Sequence, residues 1–146
     1  MLTVIQRVTY GNVKVNDLII GEIKQGIVAL IAIEKTDGKT QAKQLIDRII
    51  NYRIFADNND KMNLSLRDID GGLLLIPQFT LAADTRKGTR PSFTPSAPPS
   101  IAKPLFECAA QYAKQQYSHI ACGEFGADMQ VSMCNNGPVT FMLKTN

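Results

Sequence analysis

Ile27-Val28-Ala29-Leu30-Ile31-Ala32-Ile33 is an unbroken apolar run of strand length. Successive side chains of a strand point to opposite faces, so a strand with no polar side must be covered on both. A chain with such a run is built in layers, with this strand inside a sheet. The residues ahead of it are also extended in pattern. Leu2 to Val8 alternates, with Val4, Ile5 and Val8 as apolar members. Gly11-Asn12 and Asn16-Asp17 are turn signals that set off Val13-Lys14-Val15 and Leu18 to Ile23 as short strands. Gln25-Gly26 breaks the chain before the central run. The first quarter is therefore expected to be a β-meander.

After Gly38 the period changes. Ala42, Leu45, Ile46, Ile49 and Ile50 fall on one helical face, opposite Lys43, Gln44, Asp47 and Arg48, which predicts a helix ending near Tyr52 or Ile54. Asp57-Asn58-Asn59-Asp60 is a polar turn that lacks the glycine and terminal glutamate of an EF-hand. Asn63 to Asp70 is irregular in pattern, and Leu73 to Ile76 is a second buried strand closed by Pro77. Gln78-Phe79-Thr80-Leu81 then leads into a long loop, Ala82 to Ser96, where cations alternate with aromatic and hydroxyl residues. Long loops in compact domains are usually functional or disordered, and this composition favours function. Ser100 is the expected N-cap of a second helix, with Pro104 in its first turn and Ile101, Leu105, Cys108, Ala109 and Tyr112 as its buried face. Two last strands, Met129 to Cys134 and Val139 to Leu143, flank Gly137-Pro138. Pro138 cannot donate to a ladder, so this dipeptide is either a turn or a place where backbone is presented to something else. The order gives a single α+β domain over residues 1–146, with a largely antiparallel or mixed sheet and two main helices.

Composition narrows the chemistry. At 146 residues the chain is long enough for a real core and short for two. No apolar run approaches the ~20 residues of a membrane helix, and the first residues read as a strand rather than a signal peptide. The three scattered cysteines, Cys108, Cys122 and Cys134, favour reduced core thiols and a cytoplasmic location over a disulfide framework. A net charge of +3 permits contact with a polyanion without arguing for one. The one histidine, His119, reads as a surface or helix-end residue, so neither a multi-histidine metal site nor a His-based dyad is expected. No phosphate-loop, dinucleotide or nucleophile-elbow motif is present, and no cofactor is implied. Any catalysis must then use hydroxyls, amides and backbone dipoles. That suffices for an activated ester, which mainly needs a positioned nucleophile and an oxyanion stabiliser. Backbone amides after Ile76 are candidates, with Gln78 and Thr80 in the same segment. Thr80 reads as a strand hydroxyl or backbone donor rather than a nucleophile, and Phe79 as a core residue. Arg86 and Lys87 are solvated loop cations or phosphate contacts.

Pro77-Gln78-Phe79-Thr80-Leu81 and Asn136-Gly137-Pro138-Val139-Thr140 together resemble the two signature motifs of the D-aminoacyl-tRNA deacylases, the family first named D-tyrosyl-tRNA deacylase. Gln6-Arg7-Val8, Lys61-Met62-Asn63, Arg90-Pro91-Ser92-Phe93 and the Gly123 to Met129 segment extend the resemblance over essentially the whole chain. Many members carry serine where this chain has Pro77, which removes a hydroxyl and a backbone donor at that position. The resemblance implies a homodimer with its active site at the subunit interface. The substrate it implies is the 3′ end of aminoacyl-tRNA, and the implied reaction is hydrolysis of D-aminoacyl, and also glycyl, esters. Gly137 and Pro138 would form a cis backbone filter that excludes an L side chain, held by Arg7. Gln78, Phe79 and Thr80 would border the scissile ester, and Phe125 and Met129 would line the adenosine and substrate pocket. The tRNA's own 2′-hydroxyl would stand in for a protein base. Two alternatives remain from the residues alone: a hydrolase with Thr80 or Ser92 as nucleophile, and a non-catalytic RNA-end module using the Arg86 to Phe93 loop.

Overall fold

One long strand, β1 (Leu2–Val15), organises the molecule. The computed structural model describes residues 1–145. In chain order the other strands are β2 (Leu18–Ile23), β3 (Gly26–Ala32), β4 (Phe55–Ala56), β5 (Met62–Leu64), β6 (Gly72–Pro77), β7 (Ile120–Cys122) and β8 (Gln130–Lys144). The helices are α1 (Lys39–Ile50), α2 (Leu66–Ile69) and α3 (Pro99–Gln116). The first half of β1 lies between β3 and β8, and its second half between β2 and β8, all antiparallel. β6 joins β3 in parallel and β7 joins β6 in parallel, so the sheet is mixed. β4 and β5 form a separate small ribbon.

The expected meander holds except at Gly11-Asn12, which is not a turn. Both residues are paired in β1, Gly11 opposite Ile23 on one side and Met133 on the other. Ladder bonds on both flanks override the local turn preference. The glycine is needed for close approach, since a Cβ there would sit 2.7 Å from Cγ2 of Val28. The true turn is Asn16-Asp17, with φ of 50° and 63°, the pair of left-handed residues that a two-residue hairpin requires.

The central run is buried on both faces. On one side Ile5, Ile27, Ala29, Ile31, Leu73 and Leu75 pack under α1 and α3. On the other, Val28, Leu74 and Ile76 meet Val8 and Val13 in a smaller core, closed as the sheet curls and brings β2 against β7. Each fully buried side chain of this size contributes about 1.5–3 kcal/mol of transfer free energy.

α1 buries Ala42, Leu45, Ile46, Ile49 and Ile50, the face set by the sequence period. Its first turn is closed by Gly38 N–H donating to Gln41 Oε1 at 3.0 Å. It stops earlier than expected, at Ile50, where the Asn51 side chain donates to the Asp47 carbonyl at 2.7 Å. Asn63 to Asp70 is not irregular, because β5 leads into the single turn α2. There the Asp68 carboxylate accepts from both the amide and the hydroxyl of Ser65 at 2.7 Å. α3 begins at Pro99, with Pro98 rather than Ser100 at the N-cap. This puts Pro104 beyond the first turn and leaves the exposed Ser100 carbonyl to solvent. The buried face is Ala102, Leu105, Phe106, Ala109 and Ala113; Leu105 and Ala109 are as expected, while Cys108 and Tyr112 are half-buried and Ile101 is 44% exposed.

The C-terminal strands are one strand. Gln6 pairs with Thr140 and Val8 with Asn135, so Asn136 through Val139 stand opposite Arg7 alone as a wide bulge inside β8. Gly137-Pro138 is therefore not a turn: the chain bulges there and continues along the same partner.

Candidate active site

The C-terminal end of β6 supplies one half of the site. Gln78 N–H donates to the Ile31 carbonyl at 2.7 Å, and Phe79–Ala82 then wind into a 3₁₀ turn closed by Leu81 N–H to the Gln78 carbonyl at 3.2 Å. The amides of Phe79 and Thr80 come too early in that turn to have an acceptor within it, and none is found elsewhere among the described residues. Gln78 Nε2 donates to Thr80 Oγ1, and Ser96 Oγ donates to the Phe79 carbonyl at 3.2 Å. The sequence placed Thr80 on a strand and Phe79 in the core. Instead both ride on the 3₁₀ turn, and Phe79 is 55% exposed, its ring centroid 5.1 Å from that of Phe93.

Beside this turn lies a cavity of about 610 Å³, bordered by Ile76, Gln78, Phe79, Phe93, Phe125 and Met129 among others. β6 and the 3₁₀ turn form one wall and the approach to β8 another. The start of α3 forms the floor through Pro98, Pro99 and Ala102. No acidic, basic, histidine or cysteine side chain lines it. Phe93 and Ser96 were missed as site residues in the sequence. Their signal was the aromatic and hydroxyl content of the 82–96 loop, which shows composition but not which residue folds back on Phe79.

The second feature is the β8 bulge. The Gly137–Pro138 peptide is cis, and Gly137 has φ of +143°. A Cβ on Gly137 would lie 2.6 Å from Val139 Cγ2 and 2.9 Å from Val139 N. Arg7 Nε donates to the Asn136 carbonyl at 2.9 Å and Nη1 to the Ile54 carbonyl at 2.8 Å. Val139 N–H donates to Asn135 Oδ1 at 2.8 Å, and Asn135 Nδ2 donates to Thr140 Oγ1, also at 2.8 Å. The bulge is thus pinned from both sides while Gly137 and Pro138 remain exposed. Within one chain the expected site residues fall into two groups. Gln78, Phe79, Phe125 and Met129 share the cavity; Arg7, Gly137 and Pro138 are together elsewhere, outside its lining, and Thr80 sits behind Gln78.

A family model described as D-Tyr-tRNA(Tyr) deacylase matches residues 4–144. The chain belongs to that family. It is 54% identical over 144 residues to the D-aminoacyl-tRNA deacylase of Nitrosococcus oceani, covering 99% of this chain and 93% of that one. To the D-aminoacyl-tRNA deacylase of Pseudoalteromonas translucida it is 55% identical over 143 residues, covering 98% and 99%. Among solved structures, the c-Myc DNA Unwinding Element Binding Protein superposes with a TM-score of 0.95 at 33% identity, over 100% of this chain and 99% of that one.

Other nucleophile and base candidates stand apart from this deacylase-family cavity. His119, past the end of α3, has Nε2 3.1 Å from Asp70 Oδ1, and both side chains are open to solvent. Ser92 Oγ lies 2.9 Å from Thr94 Oγ1, and among the described residues no carboxylate, imidazole or amine is hydrogen-bonded to it. The cysteines are not all core residues: Cys134 is exposed on an outer strand, and Cys108 and Cys122 are half-buried. Burial raises the Cys122 thiol above its ordinary range, opposed weakly by Lys114. Asp57 closes the polar turn, accepting from Asn63 Nδ2 at 2.7 Å and from the amides of Asn59 and Lys61. Among the described residues no helix is long and apolar enough to cross a membrane.

Proposed function

We propose that this chain hydrolyses the ester between a D-amino acid and the 3′-terminal adenosine of tRNA, and cleaves the achiral glycyl ester as well. One observation carries the reading. The cavity has aromatic walls suited to a base and a small side chain and no ionisable side chain, and the 3₁₀ turn that borders it through Phe79 carries two unspent backbone amides. A protein base is missing from that lining, so the ribose 2′-hydroxyl next to the ester is the group placed to act on it. The Phe79 and Thr80 amides meet the negative charge that develops on the carbonyl oxygen, where fixed dipoles act without reorganisation. Gln78 holds the Thr80 hydroxyl and so steadies the turn. Phe125 and Met129 take the adenosine and the substrate's apolar surface.

Stereoselection is assigned to Gly137 and Pro138. In one chain they lie outside the cavity, so the reading requires a homodimer in which each chain's bulge enters its partner's cavity. Support comes from the exposure of a bulge that Arg7 and Asn135 nevertheless fix from behind. Carbonyls held rigidly at the chiral centre reject an L side chain by contact rather than by affinity for the D one. Location in the cytoplasm, where charged tRNA is used, follows from the same reading.

The deciding experiment compares release of tyrosine from D-Tyr-tRNA and L-Tyr-tRNA by purified protein, with and without chelator. Release from the D ester alone, indifferent to chelator, is expected. Equal cleavage of both would replace the filter with a general esterase using Thr80 or Ser92, and binding without cleavage would leave an RNA-end module.

A further inference from the structure

The 84–92 loop is not a slack surface segment. Asp84 and Ser92 exchange both backbone hydrogen bonds, at 2.7 and 3.0 Å, and close it into a miniature hairpin. Gly88, at φ +67° with open space around it, turns the tip. Arg86, Lys87 and Arg90 are carried there and, with Asp84 and Ser92, border a shallow cup of about 530 Å³. The cations are not equivalent. The Asp84 carboxylate accepts from Arg86 Nε at 2.9 Å and Nη2 at 2.7 Å, so that guanidinium is already neutralised. Lys87 and Arg90 have no ion-pair partner among the described residues and are exposed. The free positive charge of the loop is theirs.

The root of the same loop is fixed to the substrate cavity. Phe93 packs at a tilt against Phe79, and Ser96 holds the Phe79 carbonyl, so the hairpin is oriented by the residues that border the proposed ester. Arg90 lies three residues before Phe93, and three residues of extended chain reach at most ~10 Å. Nucleotides along a stacked strand repeat every ~3.4 Å. Cations at that reach from an adenosine pocket meet the phosphates of the next few nucleotides, not a distant part of the RNA.

We propose that Lys87 and Arg90 form a phosphate clamp for the single-stranded nucleotides just upstream of the terminal adenosine. Arg86 serves as the Asp84-locked strut that shapes the cup. The clamp rests on the deacylase reading for its ligand. It explains how a chain with so small a net charge grips RNA: charge is concentrated at one spot beside the site. It also gives the loop a role in placing the strand, since a second anchor upstream of the terminal adenosine limits where the ester carbonyl can fall.

The test uses the double variant Lys87→Gln/Arg90→Gln in the full chain, with Lys87→Arg and Arg90→Lys as charge-retaining controls. Binding to a short non-aminoacylated single-stranded RNA ending in CCA is followed while salt is varied. Each phosphate contact on a single strand contributes ~0.7 to the slope of log K against log salt, so the double variant is expected to lower that slope by roughly 1.4 while the controls keep it. In parallel, kcat/KM on D-Tyr-tRNA is divided by kcat/KM on D-tyrosyl-adenosine, which has no phosphate. The ratio is expected to fall several-fold, through KM. An unchanged slope, or an equal loss on both substrates, overturns the clamp. Failure of the wild-type chain to cleave either ester, with the slope difference intact, would remove the deacylase reading and leave the clamp standing.

Discussion

Arg7 of β1 joins Asn136 of the β8 bulge through a 2.9 Å hydrogen bond from Nε to the carbonyl, and through Nη1 it holds Ile54 at 2.8 Å. One planar guanidinium thereby ties the bulge to the segment after α1, in a geometry that the single ammonium of lysine cannot copy. Arg7→Lys and Arg7→Ala are both expected to loosen Gly137-Pro138. The cost in stability is about 2 kcal/mol, because hydrogen bonds from a charged donor are lost. Hydrolysis of L-Tyr-tRNA should rise relative to D-Tyr-tRNA in both variants. An unchanged D-to-L ratio would show that Arg7 does not position the filter.

Gly137 admits no side chain. Its φ of +143° is a glycine conformation, and a methyl group would press on Val139. Gly137→Ala is expected to destabilise the chain by roughly 1–3 kcal/mol and to reduce activity on D-Tyr-tRNA by at least 10-fold. Thermal melts and initial rates would measure the two effects. A variant with wild-type melting and wild-type rate would place the bulge outside the function.

Thr80 is proposed to act through its amide, which every residue but proline retains. Thr80→Ala is expected to keep kcat/KM within about 10-fold of wild type, whereas loss of a covalent nucleophile would cost on the order of 10⁴-fold or more. Single-turnover rates on D-Tyr-tRNA separate the two cases.

Cys122 should be a slow thiol. Its folded value is raised by burial above the ordinary 9.0, so less of it is thiolate at neutral pH and its alkylation rate should still climb past pH 9. Site-resolved mass spectrometry after brief iodoacetamide treatment at several pH values would follow it. A rate that levels off below pH 9 would contradict the burial seen here.

Asp57 and Asp68 both titrate below the ordinary 3.8 in the folded chain. Asp57 is lowered first by the Asn63 side chain, and Asp68 first by the Ser65 amide. Their folded values lie under the unfolded ones, so their stabilisation is present above about pH 4 and is lost as pH falls through the depressed values. Asp68→Asn should flatten the acid limb of the melting temperature against pH. It should leave the curve near pH 7 lowered but parallel, as read by calorimetry from pH 2 to 7.

The layered plan was legible because it follows from side-chain polarity alone. An apolar run such as Ile27 to Ile33 has one stable placement, and the 3.6-residue period of Ala42 to Ile50 has another. Those patterns are local, and folding preserved them. The signature segments around Gln78-Phe79-Thr80 and Gly137-Pro138 were legible as motifs, which identified the family. What the sequence could not settle depended on partners distant along the chain. Gly11-Asn12 carries a turn signal, yet β2 and β8 pair with it on both flanks and hold it straight. Gly137-Pro138 looks like a break between strands, but β1 accepts the chain on either side and turns the break into a bulge. Phe79 has the character of a core residue and lies outside because the turn after Pro77 rotates it toward Phe93. The face of α3 kept Leu105 and Ala109 but took Ala102, Phe106 and Ala113 in place of Ile101, Cys108 and Tyr112, because packing in the core shared with α1 chose among them. The sequence determined the layers and the motifs. The tertiary structure decided which of those residues meet, because strand pairing and packing are summed over partners that no local window contains.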